Sequence, residues 1–223
     1  MQTSELLVVI CKYPAPGNSK TRLGKKLGNE IAAVISESLL LDVVENHRNQ
    51  RYSLIVVASE RERIFEEDFK KLLPNVPIHF IKGDNLRGMN SHIWEIFSTY
   101  LRQFEKVVVL YSDTPFVDSA LINNTFQSLN AFDVVIGPDT SSGYFLIGLK
   151  ELYDLFTTLP ADRGSYCPET LQLAHQNELD FMLLEPHVDI DELEDIFRID
   201  WKSKNNWHRT RNAIRDLGLI SEI

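Results

Sequence analysis

The chain has 223 residues, of which 43% are hydrophobic and 25% charged, which excludes a disordered or fibrous protein and is enough chain to bury one core. With 23 Lys and Arg against 32 Asp and Glu the formal net charge is −9, so neither nucleic acid nor an anionic membrane is expected as a partner gripped through a broad basic face. The two cysteines, Cys11 and Cys167, form no CxxC pair, which leaves no disulfide framework or structural zinc site to expect and makes the cytoplasm the natural compartment.

Short β-branched runs alternate with longer helical patterns, the signature of a mostly parallel sheet covered on both faces. The first apolar run, at 6–11, follows Glu5 without a basic segment before it; it is too short for a signal peptide or membrane span and reads as a buried strand at 6–10. Leu27, Ile31, Ile35 and Leu39 then recur at spacing four as the stripe of an amphipathic helix. Further strands are expected at 54–58, 78–81, 107–111, 134–137 and 144–149, with another at 180–184. Helices are expected at 60–72, 88–104, 118–129, 168–178 and 202–217. In the helix at 88–104, Met89, Ile93, Phe97 and Leu101 recur every fourth residue, a pattern of core packing and not of a cofactor box. No repeat, low-complexity tract or linker divides the chain, so one domain over 1–223 is expected, with a helical C-terminal addition over about 197–223. The expected fold class is α/β, a Rossmann-like three-layer sandwich of helices on a mostly parallel sheet.

Chemistry is expected at the carboxyl ends of the strands, where ligands bind in open α/β sheets. The loop after the first strand, 12–22, holds two prolines and a glycine, so it is shaped and not slack. Lys12, Lys20, Arg22, Lys25 and Lys26 fall between residues 12 and 29 with no acid among them. Lys20 and Arg22, at the loop-to-helix junction, are read as phosphate ligands beside a helix N-terminus; Lys25 and Lys26 are read as solvated. The run 107–111 ends in Ser112-Asp113-Thr114-Pro115. Asp113 is the leading ligand for a hard cation such as Mg²⁺ or Mn²⁺, a turn or helix cap being the alternative; Asp118 is read as a cap. The stretch 133–148 holds two strand runs joined by a loop rich in Gly, Ser and Asp, either a close backbone approach to a ligand or a plain hairpin. After the run at 180–184, Asp189 and Asp191 alternate and point one carboxylate at the same edge, or form a solvated acidic face with Glu192, Glu194 and Asp195.

In their order along the chain these segments resemble a small bacterial family of GT-A-like, nucleotide-diphospho-sugar-transferase-type proteins. That family, DUF2064-like, is related to the glycosyltransferases assigned to arsenosugar biosynthesis. The family loop K-x-P-x-P-G-x-x-K-T-R-L is matched by Lys12, Pro14, Pro16, Gly17, Lys20, Thr21, Arg22 and Leu23. A second element, G-D-x-L-G-x-R-M, is approximated by Gly83-Asp84-Asn85-Leu86-Arg87-Gly88-Met89; S-D-x-P is Ser112 to Pro115; G-P-x-x-D-G-G-Y-x-L-I-G runs from Gly137 through Tyr144 to Gly148; and D-x-D is Asp189-Ile190-Asp191. One position departs, because Ser141-Ser142-Gly143-Tyr144 stands where the family shows Asp-Gly-Gly-Tyr. Asp139 lies two residues upstream, several ångströms too far along the chain to replace a metal ligand.

The resemblance implies a GT-A-type fold and a metal-dependent glycosyltransferase with a nucleotide-sugar donor and an unidentified small-molecule acceptor. Lys12, Pro16, Gly17, Lys20, Arg22 and Ser112 would bind the nucleotide phosphates; Asp113, Asp189 and Asp191 would hold Mg²⁺ or Mn²⁺; Asp139, Ser141, Gly143 and Tyr144 would form the sugar or acceptor loop. The catalytic base is unassigned among Asp139, Asp84 and His187. The alternatives are a nucleotidyltransferase joining a nucleoside triphosphate to a small phosphorylated acid, and a nucleotide-binding protein whose site has decayed at Ser141. Trp201 and Trp207 are expected to pack in helices, the alternative being a homodimer contact.

Overall fold

A computed structural model describes residues 3–83, 88–156, 167–202 and 207–220. Strands β1 (Glu5–Ile10), β2 (Ser53–Ser59), β3 (Ile78–Ile81), β4 (Lys106–Tyr111), β5 (Val134–Pro138), β6 (Tyr144–Leu149) and β7 (Phe181–Leu183) form one sheet in the order β3-β2-β1-β4-β6-β5-β7. Helices are α1 (Thr21–Leu27), α2 (Asn29–His47), α3 (Glu66–Leu72), α4 (Gly88–Tyr100), α5 (Ser119–Ser128), α6 (Cys167–Gln176), α7 (Leu193–Arg198) and α8 (His208–Asp216). The expected α/β sandwich with a mostly parallel sheet is what the chain adopts, and only β6 runs against the others. β6 reverses because a five-residue connection from Pro138 to Tyr144 is too short for a parallel crossover, so the two runs pair as a hairpin.

Past their first residues, Glu5 and Lys106, the central strands β1 and β4 carry no charged side chain because each face meets helices. Leu7 and Val9 of β1, with Val108 and Leu110 of β4, join one cluster under α2 and α5; Leu6 and Val8, with Val107 and Val109, join the other under α4 and α6. The period-two alternation of strand side chains thus divides a continuous apolar run between two cores.

Two expected helices are subdivided. The stripe from Leu27 to Leu39 crosses Gly28, whose φ of 93° separates α1 from α2, a conformation glycine adopts without a Cβ clash. The segment at 60–72 begins as a 3-10 turn over Glu60–Phe65 before α3. Helix α7 has no counterpart among the expected helices; its boundary is a capping box between Glu192 and Asp195.

The C-terminal segment is tied to the body by one buried acid. Asp42 of α2, 1% exposed, accepts from the backbone N–H groups of Arg209 (3.3 Å) and Thr210 (2.8 Å) and from the Thr210 hydroxyl (2.8 Å), so it caps α8 from another helix. Trp201 and Trp207 are buried as expected, at 4% and 0% exposure, but both lie outside the helices, Trp201 in a turn after α7 and Trp207 at the N-cap of α8. No described helix is long and apolar enough to cross a membrane.

Candidate functional site

The carboxyl ends of β1, β2, β3 and β4 open into a cleft of about 660 Å³. Its near wall is the loop leaving β1, and the loop's shape has a specific cause. Glu62, in the 3-10 turn after β2 and 5% exposed, accepts from the Tyr13 backbone N–H at 2.9 Å and from Asn18 Nδ2 at 2.8 Å, while Asn18 also donates to the Tyr13 carbonyl. One buried carboxylate therefore holds both arms of the loop. The sequence reading missed Glu62, because Glu60-Arg-Glu-Arg63 has the composition of a solvated helix turn. Gly17 turns the loop at φ 78°, in the left-handed region that favours glycine. Lys20 follows in the same region at φ 48°, ψ 45°, immediately before α1.

That backbone geometry accompanies a Lys20 side chain only 9% exposed, its Nζ donating to Asp113 Oδ2 at 2.8 Å and to Asp191 Oδ1 at 2.9 Å. Burial opposes its charge, but Asp113 and Asp191 outweigh it and hold the ammonium pKa above its ordinary value. Asp191 is likewise penalised by burial and nevertheless pulled down by Lys20 and Arg22, whose guanidinium pairs with Asp191 Oδ2. Asp113 reaches this point because β4 ends there, and Asp191 because the Ile190 N–H donates to the Asp113 carbonyl at 3.0 Å, lacing the two segments together.

Asp189 completes the group. One carboxylate oxygen from each of Asp113, Asp189 and Asp191 lies within 4.8 Å of the others. Burial and the neighbouring charges of Asp113, Asp191 and Asp139 push the Asp189 carboxyl up to about 7. Three oxygen donors at this separation, with no nitrogen or sulfur among them, suit a hard divalent cation.

The structure sorts the expected site residues. Lys12, Lys20, Arg22, Ser112, Asp113 and Asp191 line the cleft; Asp189 joins the acidic group; Pro16 and Gly17 are exposed on the loop. Residues 139–144 of the hairpin are not in the lining of this cleft, although Asp139 is near enough to act on Asp189. Asp139 Oδ1 accepts from the Ser141 N–H (2.6 Å), the Ser141 hydroxyl (3.0 Å) and the Gly143 N–H (2.7 Å), so that oxygen caps the turn. Ser142, where the family pattern has glycine, adopts φ 77°. Tyr144 is 2% exposed and packs beside Tyr111. His187 places Nδ1 3.0 Å from the Glu185 carbonyl oxygen, and its ring is tilted 39° to that of Phe145 at 4.8 Å between centroids. Asp84 lies outside the described residues, as do 84–87 of the element at 83–89. Asp118 is the cap expected of it, accepting from the Leu121 N–H at 2.9 Å.

The acidic run after residue 188 is the counter-charge of the first loop and not a free face. Lys26, expected to be solvated, pairs with Glu194 at 2.6 Å and Glu192 at 3.8 Å, and Arg22 also reaches Glu192 at 3.7 Å. Two further features of the cleft had no signal in the pattern. Arg61, in the 3-10 turn after β2, and Lys82, just past the end of β3, contribute cations, and the Ser19 hydroxyl is buried in the lining without a hydrogen-bond partner among the described residues.

No curated protein sequence matches the chain. Among solved structures it is similar to a "putative nucleotide-diphospho-sugar transferase" from Desulfovibrio desulfuricans G20, at 21% identity and a TM-score of 0.84 over 97% of this chain and 99% of that one. It also resembles the inositol-1-phosphate CTP transferase of T. maritima (14% identity, TM-score 0.59, 96% and 97% covered) and the 4-diphosphocytidyl-2C-methyl-D-erythritolsynthase of Anaerococcus prevotii DSM 20548 (14%, 0.57, 88% and 96%). At these identities the likeness is one of fold. A family model described as "Uncharacterized protein conserved in bacteria" matches residues 41–162, more than half of the chain and inclusive of Asp113 and the 139–144 hairpin; the chain belongs to this family, DUF2064.

Proposed function

We propose that the cleft binds the diphosphate of a nucleotide-sugar and that the protein is a metal-dependent transferase of the sugar to a small-molecule acceptor. The observation that carries this reading is the meeting of Lys20 with Asp113 and Asp191, at 2.8 and 2.9 Å, at the carboxyl ends of β1 and β4. Lys12, Arg22 and Ser112 line the same cleft and would receive phosphate oxygens. Negative charge grows on the departing diphosphate as the bond to the anomeric carbon breaks, and cations placed beforehand lower that barrier without reorganising. Asp113, Asp189 and Asp191 would hold Mg²⁺ or Mn²⁺, which when bound neutralises phosphate charge as a Lewis acid. The larger likeness to the sugar-transferase-type structure supports this choice of reaction.

The fold shared with two cytidylyl-transferring enzymes favours one second reading, transfer of a nucleotidyl group from a nucleoside triphosphate. The two separate by product. Incubation with UDP- and GDP-sugars, and separately with CTP and GTP, each with and without Mg²⁺ and with water as the acceptor, is expected to release a nucleoside diphosphate slowly from the first set as the sugar passes to water; pyrophosphate from the second set, the nucleotidyl group passing to water, supports the alternative. Tight nucleotide binding without turnover of either set supports a site decayed at Ser141. Absence of Mg²⁺-dependent binding to any nucleotide overturns the metal-dependent reading.

A further inference from the structure

We propose that Lys20 is a tethered cation that fills the acidic site while no metal is present and is handed to the polyphosphate when a divalent ion enters. The inference rests on the metal-binding part of the function proposed above and adds the event that would couple metal to substrate.

Lys20 already occupies part of the acidic group. Its ammonium bridges Asp113 Oδ2 and Asp191 Oδ1, two members of the three-carboxylate group that suits a divalent ion. The third, Asp189, makes no ion pair among the described residues and stays crowded by Asp113, Asp191 and Asp139. One ammonium thus balances part of the charge of a site built for a doubly charged ion. An ion bound to oxygens of Asp113 and Asp191 would sit at about 2.0–2.6 Å from them. An ammonium hydrogen-bonded to those same oxygens would then face it across a few ångströms, a repulsion that the low-dielectric surroundings of a side chain 9% exposed do little to screen. The two cations exclude each other.

The displaced group has a destination. Lys20 lines the cleft beside Ser19, whose buried hydroxyl finds no partner among the described residues, and beside Ser112 at the end of β4. The backbone of Lys20 is fixed by its left-handed conformation and by its carbonyl accepting from the Gly24 N–H at 2.8 Å, so the move belongs to the four-carbon stem alone. Arg22 cannot serve the same role. It is 60% exposed and meets the acidic group only through Asp191. Because metal entry frees a cation for phosphate, metal and polyphosphate binding are positively linked, each tightening the other.

The test uses the full chain with metal alone. Mn²⁺ titration by calorimetry is expected to show at least tenfold tighter binding to Lys20→Met than to wild type, and less than a threefold change in Lys70→Met, a lysine paired with Glu66 and Glu67 away from the acidic group. Reductive methylation of the wild-type protein, read by mass spectrometry, is expected to leave Lys20 nearly unmodified without metal and to raise its labelling at least fivefold with saturating Mg²⁺, while exposed Lys70 stays constant. The second readout needs no variant. Both results are required: equal Mn²⁺ affinity in wild type and Lys20→Met, or Lys20 still protected under saturating Mg²⁺, overturns the exchange while leaving the metal site standing. Failure of wild type and Lys20→Met alike to bind Mn²⁺ overturns the metal-dependent function itself, and the exchange with it.

Discussion

Lys20 and Asp113, 93 positions apart in the chain, meet at 2.8 Å with Lys20 almost wholly enclosed. The pair joins the first loop to the end of the fourth strand. Asp113→Asn is expected to cost about 1–2 kcal/mol of stability, because Lys20 keeps Asp191 but loses one of two charged acceptors, and to weaken Mg²⁺ binding at least tenfold. Thermal melts and calorimetric titration of the same protein check both effects, and unchanged Mg²⁺ affinity would remove Asp113 from the metal site.

The second prediction concerns pH. Asp189 titrates near 7 in the folded chain, above the ordinary carboxylate value, because burial and three neighbouring acids disfavour its charge. The folded state therefore holds this proton more tightly than the unfolded state does, and the associated stability is complete below about pH 4 and is lost as pH rises through about 7. Metal-free wild type is expected to lose stability over that window. Asp189→Asn should flatten the profile and raise Tm at pH 8 by about 3–6 °C, corresponding to ~1–2 kcal/mol after solvent screening. Divalent ions should reverse the sign for wild type, since their binding requires the carboxylate. Parallel melting curves from pH 4 to 8, with and without Mg²⁺, decide the matter, and an Asp189→Asn profile as steep as wild type counts against the assignment.

A third concerns the C-terminal segment. Asp42→Ala leaves the Thr210 N–H and hydroxyl without their buried acceptor and removes the cap of α8. The expected loss is about 2–3 kcal/mol, together with faster proteolysis after residue 202. Equal protease resistance in the variant and wild type would mean that Trp207 and Ile214 alone hold α8 in place.

The fourth concerns the hairpin. Ser142 carries φ 77°, a left-handed conformation that costs an L residue about 1–2 kcal/mol. Ser142→Gly relieves that strain and loses part of it to chain entropy. A net gain of about 0.5–1 kcal/mol, seen as Tm raised by about 2–3 °C, is expected; a lower Tm would show that the serine side chain contributes to the turn.

What the amino-acid order determined by itself was local. The strand bounds at 78–81 and 144–149 coincide with those of the folded chain, because a strand buried on both faces must be apolar throughout and ends where turn residues begin. The cap at Asp118 and the burial of Trp201 and Trp207 were legible for the same reason, each following from its near neighbours. Tertiary structure decided which distant charges meet. Nothing near Lys26 marks Glu194 as its partner, nothing near Tyr13 marks Glu62 as the carboxylate that shapes its loop, and Arg22 shares Asp191 with Lys20 only because Ile190 is laced to the end of β4. Propensity and periodicity act over a few residues, whereas Coulomb attraction depends on distance in space, and that distance exists only once the sheet has brought the strand ends to one edge.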